Sequence, residues 1–444
     1  MKNKQLLAFF ILVASTLIAQ EVPSSFSMDE AVEWGMKYNR TLQRASMELQ
    51  KAHKEKWKTI SIGFPQINAS MQYQNNIEQP VSLVPAQFFG GNEGEFAELI
   101  FGTEQTAMAN VELSQLLFDG TYIVGVQGIK HYISTAENVL EKTQIEIKKA
   151  VITAYVNVLI ARENNRILAR NAKALQSNIS EVEQLVANGF AEEESVEQLR
   201  LTLSSLTTQI QFSQKASTLA ENVLKLLLGI DIVNQPQLTD SLDTLTARHL
   251  LDTTPTNDYN NNIDIRLAED NVVSEKLLYR LERAKGLPSF SAFLNGNYMG
   301  NSNNFTFTQR DQKWFGAAAF GLRIRVPIFS SLGRSAGSQK AKLSLQQAET
   351  QLIETRSKIY VDWQNALNNF NFSKQNHQTA CANLALAQRI ESKNTTKFFE
   401  GLSSSFELRQ AQLQLYQAQQ NFIQSMRQVI LEKTNLTTII NTKE

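Results

Sequence analysis

The sequence predicts a mainly helical chain with a smaller β portion suited to a membrane barrel. Three observations predict this fold class: two long helical hairpins with heptad-like apolar spacing, four short segments of alternating polarity, and an internal duplication of both. The repeated order is helix, strand, loop, strand and long helical hairpin. Such a repeat has to be recognised before single motifs are interpreted, because it sets the architecture of the whole chain.

The long hairpin is the clearest element of the first repeat. No proline occurs from Tyr122 to Asn188, and apolar or small residues recur there at spacings of three and four. This spacing is typical of a coiled-coil seam. About 67 helical residues would span roughly 100 Å. Asn188 and Gly189 favour a left-handed helix end, and a second helix then runs to Leu228.

The duplication is visible in matched landmarks. Asn39 to Pro65 matches Asn262 to Pro288 with identical length, and the turn at Asn188-Gly189 returns at Glu400-Gly401. The offset between the copies is about 223 residues before each proline and about 212 after it. The first copy therefore contains a longer insertion between its proline and its long helix.

The repeat divides the chain into four predicted segments: a signal peptide at 1–20, a first repeat at 21–230, a linker at 231–261 and a second repeat at 262–444. In the first repeat we expect strands at about 66–74 and 106–114 and a hairpin at about 121–229. In the second we expect strands at about 289–298 and 314–326 and a hairpin at about 334–440. The linker is rich in Asp, Thr and Asn, with a short helix expected near 241–251.

The N-terminus has the layout of an export signal. Lys2 and Lys4 precede the apolar run from Leu6 to Ala19, which is too short to favour the alternative of a membrane anchor. No later stretch approaches 18 apolar residues, so a membrane portion would have to be a barrel. The net charge is zero, which argues against a nucleic-acid partner.

A capping box at Ser27 and Glu30 predicts the first helix, which we expect to run to about Ser61. The apolar period then changes to two in four segments, with polar residues between the apolar ones. The apolar positions are Ile67, Ala69, Met71 and Tyr73; Ala107, Ala109, Val111 and Leu113; Phe290, Ala292, Leu294, Gly296 and Tyr298; and Trp314, Ala318, Phe320, Leu322, Ile324 and Val326. The prolines and glycines between 75 and 106 predict an extended loop.

One alternating segment alone would favour a half-buried strand in a soluble sheet. Four segments, paired around polar loops in a chain with an export signal, favour a membrane sheet. Four strands cannot close a useful barrel, and open edges are not tolerated in lipid, so several copies of the chain would share one barrel. Tyr73, Tyr298, Trp314 and Phe320 are then candidate membrane-interface aromatics.

The arrangement resembles the TolC family of outer-membrane efflux proteins over essentially the whole mature chain. The resemblance lies in the paired starts 38–45 and 262–268, the prolines before each strand pair, the segments 113–120 and 326–334, and the hairpin tips 188–191 and 400–403. Each motif is weak alone, whereas their order, spacing and duplication are specific.

The resemblance implies a homotrimer. Each chain would give four strands to a shared twelve-stranded barrel in outer-membrane lipid and its helices to a periplasmic tunnel. It also implies a passive exit channel that serves an inner-membrane transporter of RND, ABC or similar type through a periplasmic adaptor. Substrate identity does not follow from it.

The resemblance also implies positions at the hairpin tips. Glu407 matches a family position that constricts the closed periplasmic mouth, and Gln410 stands where the family commonly has an acid. Ser195 takes the six-residue position after the first tip, and these departures argue against a strongly acidic gate. A solvated glutamate in a first helical turn remains the alternative for Glu407. The tips Gly189-Phe190 and Gly401-Leu402 are candidate adaptor-docking positions.

No catalytic or cofactor motif is present. The four histidines are scattered without zinc-ligand spacing, and the lone Cys381 is interpreted as a buried small residue. We therefore expect no enzyme activity, cofactor or metal. Two other classes remain as alternatives: a secreted or periplasmic coiled-coil scaffold without a pore, and a hydrolase with helical decoration. The scaffold has no need of the four strands, and the hydrolase lacks a catalytic constellation.

Overall fold

The structure is a computed structural model that describes residues 23–251 and 259–440. The predicted signal peptide at 1–20 lies outside the described residues, as does the part of the linker at 252–258.

Eight α-helices are present in the described residues: α1 Met28–Tyr38, α2 Arg40–Ser61, α3 Gly120–Ala187, α4 Glu193–Leu228, α5 Leu242–Leu251, α6 Ile263–Ala284, α7 Gly333–Phe399 and α8 Ser405–Ile440. The strands in the same residues are β1 Ser25–Phe26, β2 Gln66–Asn75, β3 Val81–Pro85, β4 Phe96–Ile100, β5 Gln105–Phe118, β6 Gln237–Leu238, β7 Ser289–Ser302 and β8 Trp314–Arg325. The predicted order of helix, strand, loop, strand and long hairpin is confirmed, although the first repeat has two helices before its first long strand and a β-hairpin in place of the loop. Helix α5 confirms the short linker helix.

The first helix is shorter than the sequence predicts. Ser27 and Glu30 form the expected capping box, but the helix ends at Tyr38 because Asn39 has an extended backbone, with ψ at 127°. A second helix, α2, starts directly after it. The helical periodicity continues across Asn39, so the pattern alone did not reveal the break.

The segment between β2 and β5 is not the extended loop that its prolines and glycines predict. β3 and β4 pair in antiparallel register from Val81 opposite Ile100 to Pro85 opposite Phe96. A 3-10 helix at Ala86–Phe89 joins them. Proline is tolerated in such a two-stranded ribbon because each strand has a free edge. The insertion in the first repeat is therefore a β-hairpin.

The chain forms two compact units that do not follow the repeat boundaries. The helical unit comprises the described residues of Met1–Glu48, Glu137–Leu267 and Ile353–Glu444, and the sheet unit comprises Leu49–Ala136 and Ala268–Leu352. Each repeat contributes to both units. The division into repeats at 21–230 and 262–444 describes sequence similarity rather than compactness, and it stays a prediction.

The helical unit has its core where the long helices meet the linker. Tyr155 of α3 is fully buried, and its hydroxyl donates to the Phe26 carbonyl at 2.9 Å and to Asp240 at 3.1 Å. The Asp240 carboxylate also accepts from the Met28 amide at 2.6 Å. Burial of the hydroxyl raises the pKa of Tyr155 above its ordinary value. One carboxylate thus joins the start of α1 to the middle of α3.

Cys381 is exposed rather than buried. Its sulfur lies 3.6 Å from Nε2 of His377, one helical turn earlier on α7. The alanines and leucines around it suggested burial, but the helix presents this position outward.

Two equivalent asparagines join helix ends in the same way in both repeats. The Oδ1 atom of Asn39 accepts from the Thr41 amide at 2.8 Å, and its Nδ2 atom donates to the Leu227 carbonyl at 2.7 Å. Oδ1 of Asn262 accepts from the Asp264 amide, and Nδ2 donates to the Ile439 carbonyl, both at 2.8 Å. Each side chain thus pairs with a backbone N–H at the start of one helix and a backbone carbonyl in the last turn of another, groups that have no partner within their own helix.

The two asparagines and the two carbonyls that they contact are separated by the same numbers of residues as the two sequence repeats. Asn39 and Asn262 are 223 residues apart, whereas Leu227 and Ile439 are 212 apart. Both asparagines are only 4% exposed, so water cannot replace these bonds. The duplicated sequence therefore encodes a duplicated junction between helices.

Replacing either junction asparagine with alanine should destabilise the helical unit. Asn39→Ala and Asn262→Ala each leave a buried carbonyl and helix-start amides without partners, and we expect each to lower the free energy of unfolding by roughly 1–3 kcal/mol. Denaturant titration followed by circular dichroism measures the loss. Asn383→Ala, at an exposed position of α7, is the matched control and should change little. Equal stability of all three variants would contradict the proposed junction.

Candidate functional site

The four long strands form one antiparallel sheet in the order β2-β5-β7-β8. The pairing places Ile67 opposite Leu113, Leu113 opposite Leu294, and Leu294 opposite Phe320. Because side chains alternate between faces, this register decides which residues of different strands share a face. It aligns the apolar positions of all four strands on one side.

One face of the sheet carries no charged residue along its paired length. Its residues are Ile67, Ala69, Met71 and Tyr73 on β2, Ala107, Ala109, Val111, Leu113 and Gln115 on β5, Phe290, Ala292, Leu294, Gly296, Tyr298 and Gly300 on β7, and Trp314, Gly316, Ala318, Phe320, Leu322 and Ile324 on β8. We call this the uncharged face. Phe320, near its middle, is 86% exposed, and Met71 is 77% exposed. Exposed apolar area of this extent marks a surface that something apolar covers.

The opposite face is polar, and we call it the polar face. Its amide, hydroxyl and charged residues include Asn68, Glu112 and Asn295 in one paired row. At the end of β8 nearest α7, the Arg323 guanidinium lies 5.2 Å from the centre of the Phe293 ring. The difference between the faces is the one expected when lipid covers one side and water the other.

The sheet ends in two strands that each have a partner on one side only. β2 pairs with β5, and β8 pairs with β7. The outward backbone groups of β2 and β8 therefore face no third strand within the described chain. Such long edge strands invite pairing with another chain.

Aromatic side chains gather at the end of the uncharged face away from the long helices. The Tyr298 and Trp314 rings are stacked, with centroids 5.7 Å apart, and Tyr73 lies on the same row as Trp314. The sequence predicts these three residues and Phe320 as interface aromatics, but Phe320 lies near the middle of the face and not in this group. It missed Phe305 and Phe307 from the β7–β8 connection, which also contact Tyr73. Neither belongs to an alternating strand, so no periodic pattern pointed to them.

The two hairpin tips have the same backbone geometry. Gly189 and Gly401 have φ values of 80° and 74° and end α3 and α7. The next amides, of Phe190 and Leu402, donate to Leu185 and Lys397 carbonyls at 2.8 Å. This is the Schellman pattern, and left-handed φ explains why glycine stands at both positions. Phe190 is 82% exposed and Leu402 72%, so each tip presents a large apolar side chain.

Glu407 is engaged in a helix cap. Its Oε2 accepts from the Ser403 hydroxyl at 2.7 Å and from the Ser404 amide at 3.0 Å, while the Glu407 amide donates to the Ser404 hydroxyl at 3.3 Å. This reciprocal pattern is a capping box at the start of α8. The same hydrogen bonds, led by that from Ser403, lower the pKa of Glu407 from its ordinary value of 4.5.

The other two predicted aperture residues lie in different surroundings. Gln410 is exposed and follows Glu407 by three residues, so both lie on one face of α8. Ser195, the equivalent of Glu407 in the first repeat, is 9% exposed, and its amide donates to the Glu192 carbonyl at 3.0 Å. The structure therefore brings Glu407 and Gln410 together and turns Ser195 towards the packed side of α4.

One histidine cluster has the residue types of a hydrolase triad. Nε2 of His131 lies 3.1 Å from the Ser274 hydroxyl, and its Nδ1 lies 3.8 Å from the Asp270 carboxylate. Nε2 also lies 2.9 Å from the Asp270 backbone carbonyl, which can only accept a hydrogen bond. The ring nitrogen beside the serine is thus occupied as a donor and is not free to take the serine proton. The cluster links α3 to α6.

In residues 23–251 and 259–440, no three His, Cys, Asp or Glu side chains are grouped so as to hold a metal ion. None of the helices in those ranges has the length and apolar character needed to cross a membrane.

Residues 257–442 match the family described as outer membrane efflux protein. No curated protein sequence matches the chain significantly. Among solved structures, the chain superposes on CusC, studied for transmembrane channel formation, with a TM-score of 0.73 and 18% identity over 93% of this chain and 91% of CusC. It also superposes on the open MtrE outer membrane channel of Neisseria gonorrhoeae, with a TM-score of 0.72, 17% identity and 93% and 88% coverage.

The CmeC outer membrane channel of Campylobacter jejuni gives a TM-score of 0.71, 17% identity and 93% and 85% coverage. At these identities the structural matches establish a shared fold over nearly the whole chain, and the family match adds the sequence relationship in the second repeat. The second repeat is thus similar in sequence to the outer membrane efflux protein family, and nearly the whole chain has the fold of outer membrane channels such as CmeC and MtrE.

Proposed function

We propose that the chain is one protomer of a trimeric, passive exit channel in a tripartite efflux or type I secretion system. The observation that carries this proposal is the four-stranded sheet with one uncharged face and two unpaired outer strands. Open strand edges are not tolerated in lipid, so β8 of one copy must pair with β2 of the next until a ring closes.

Three copies give twelve strands. A barrel of about eight strands is filled by its own side chains, whereas larger barrels enclose a channel. Twelve strands with the polar face inward therefore leave a water-filled passage. The family resemblance supports the same number, since it implies four strands from each of three chains.

The height of the uncharged face fits a bilayer. On β8 it extends from Trp314 to Ile324, ten residue steps. At about 3.3 Å per step these residues span roughly 33 Å along the strand. A strand tilt of about 40° reduces this to roughly 25 Å, the height of the apolar band of membrane barrels.

In this proposal the long helices form the periplasmic conduit of the channel. A periplasmic adaptor docks at the hairpin tips, through Gly189-Phe190 and Gly401-Leu402, and links the channel to an inner-membrane transporter of RND, ABC or similar type. The support is the pair of matched tips, each with an exposed apolar residue after its left-handed glycine. The protein is a conduit and not an enzyme, so energy for transport comes from the partner.

Glu407 and Gln410 are proposed to line the closed periplasmic mouth. Their common exposed face on α8 supports this. The first-repeat position, Ser195, is 9% exposed, so the constriction relies on the second tip. Since its pKa is lowered, Glu407 is ionised at neutral pH and would contribute one negative charge per chain.

The first experiment is to determine oligomeric mass and planar-bilayer conductance on the same detergent-extracted sample. We expect the mass of three chains and a low, gated conductance, because the outer strands need partners and the mouth is closed at rest. A stable monomer that neither inserts nor conducts would contradict the proposal and favour the coiled-coil scaffold.

A second test uses two adjacent alanines on opposite faces of β8. Ala318 lies on the uncharged face and Ala319 on the polar face, and both are exposed. Ala318→Arg places a charge near the bilayer midplane, at a cost of about 2–4 kcal/mol, whereas Ala319→Arg faces water. We expect Ala318→Arg alone to reduce the folded trimer recovered from outer membranes. Equal recovery of the two variants would refute the membrane orientation.

The aperture is tested by separating gating from capping. Replacing both Glu407 and Gln410 with alanine should raise single-channel conductance, since it removes bulk and charge from the mouth. Ser404→Ala also breaks the capping box but leaves the Glu407 side chain in place, and it should leave conductance near that of the parent protein. If Ser404→Ala raises conductance equally, the effect comes from a frayed helix start, and the aperture assignment is wrong.

A further inference from the structure

The β7–β8 connection folds back over the uncharged face of its own sheet. The Phe307 ring centre lies 5.8 Å from that of Tyr73 on β2 and 6.1 Å from that of Trp314 on β8. Those two residues stand at opposite edges of the sheet, with β5 and β7 between them. Phe307 therefore lies across the sheet rather than beyond its end.

The sheet provides a recess for this ring. The row that joins Tyr73 to Trp314 passes through Ala107 and Gly300, the two smallest residue types. Ala107 is 3% exposed and its partner Gly300 is also buried, although Tyr73 and Met71 on the same face are exposed. A Cβ at position 300 would lie 3.3 Å from Phe307 and 3.2 Å from Trp314, tighter than ordinary contact. The strands have thus left space that the loop fills.

Polar contacts hold the loop in this position. Asn303 accepts from the Glu104 amide at 3.2 Å, which ties the loop to the start of β5. Within the loop, the Thr306 hydroxyl donates to the Ser302 hydroxyl at 2.9 Å, and the Gln309 amide donates to the Thr306 carbonyl at 2.8 Å. The fold-back is therefore a built part of the sheet unit.

The aromatic side chains at this end of the sheet are only partly covered by other residues of the chain. Phe305 packs edge-to-face on Phe307, with centroids 5.7 Å apart, yet it remains 60% exposed. Tyr73 is 49% exposed and Tyr298 53%. The group combines apolar rings with tyrosine hydroxyls at the end of an uncharged face. This composition is favoured where acyl chains meet lipid headgroups.

The residues that follow the rings are charged. Arg310 and Lys313 are exposed and have one acidic neighbour, Asp311, so the stretch has a net charge of +1. The hairpin segment on the other connection is opposite in sign, with Glu78, Glu93, Glu95, Glu98 and Glu104 and no basic residue between 76 and 105. Only the β7–β8 loop therefore combines aromatic contact with a charge that complements phosphate.

We infer that the β7–β8 loop is a lipid anchor. Phe305 and Phe307 bind at the boundary between acyl chains and headgroups of the outer leaflet, and Arg310 and Lys313 contact headgroup phosphates. The inference rests on the proposed channel, because it requires the uncharged face to meet lipid and the loop end of the sheet to lie outside. In this arrangement the loop, together with the strand residues, sets the depth at which the barrel lies in the membrane.

The test places a fluorescent label at single cysteines in a Cys381→Ser background. Phe305→Cys reports on the loop, Ala318→Cys on the middle of the uncharged face, and Phe315→Cys on the polar face. Phe315 is the matched control, since it is the same residue type and is 58% exposed. The labelled protein is reconstituted in vesicles of phosphatidylethanolamine and phosphatidylglycerol whose acyl chains are brominated at a shallow or a deep position.

We expect shallow bromines to quench emission from position 305, deep bromines to quench position 318, and neither to quench position 315. Quenching at 318 without quenching at 305 would overturn the anchor and leave the channel standing. That result is also expected if the loop packs against a second copy of the chain. Absence of quenching at all three positions would remove the proposed membrane orientation as well.

The phosphate contacts are tested in the same assay. Adding Arg310→Gln and Lys313→Gln to the Phe305→Cys protein should weaken shallow quenching, because the loop loses its attraction to the headgroups. Unchanged quenching would restrict the anchor to its aromatic rings and overturn the assigned role of the two cations.

Discussion

The hydrogen-bonding requirement of the two outer strands constrains the rest of the structure. β2 and β8 each present one unpaired edge beside a face that carries no charge. In water this sheet would expose a large apolar surface, and in lipid it would expose unpaired backbone groups. Neither solvent suits a single chain. Assembly in a membrane would satisfy both the edges and the face, and this is the physical basis of the proposed oligomer.

The sequence predicted what depends on periodicity and missed what depends on contacts across the chain. The alternation of apolar and polar residues predicts all four long strands, and heptad-like apolar spacing predicts both long hairpins. Both patterns arise because one face of each element is apolar. The helix break at Asn39 has no periodic signal, since it depends on a bond to Leu227 that lies 188 residues away. The β3–β4 hairpin does not follow from the sequence pattern, because Pro80 and Pro85 predict a loop, although a two-stranded ribbon tolerates prolines at its ends.

The candidate site was predictable to a similar extent. The tip glycines follow from local turn chemistry, and the structure shows the same left-handed geometry at both. Phe305 and Phe307 belong to an irregular connection. The contact of both rings with Tyr73, and the place of Phe307 beside Gly300, depend on sheet register and cannot be obtained from spacing. The sequence left two roles open for Glu407, and the observed capping box supports the local one directly.

If Glu407 has the gating role proposed above, the same carboxylate serves both the helix cap and the gate. The oxygen that accepts from Ser403 and Ser404 cannot at the same time give its full charge to a cation in the mouth, because two hydrogen bonds already compensate it. The cap also fixes the first turn of α8, on which Gln410 lies. If the mouth opens by movement of this tip, the cap is a local constraint that the movement must either preserve or break. The first repeat has Ser195 instead, packed at 9% exposure. Its tip lacks this side-chain cap, so the two hairpins of one chain are not equivalent at their tips, and in the proposed channel gating would depend on the second.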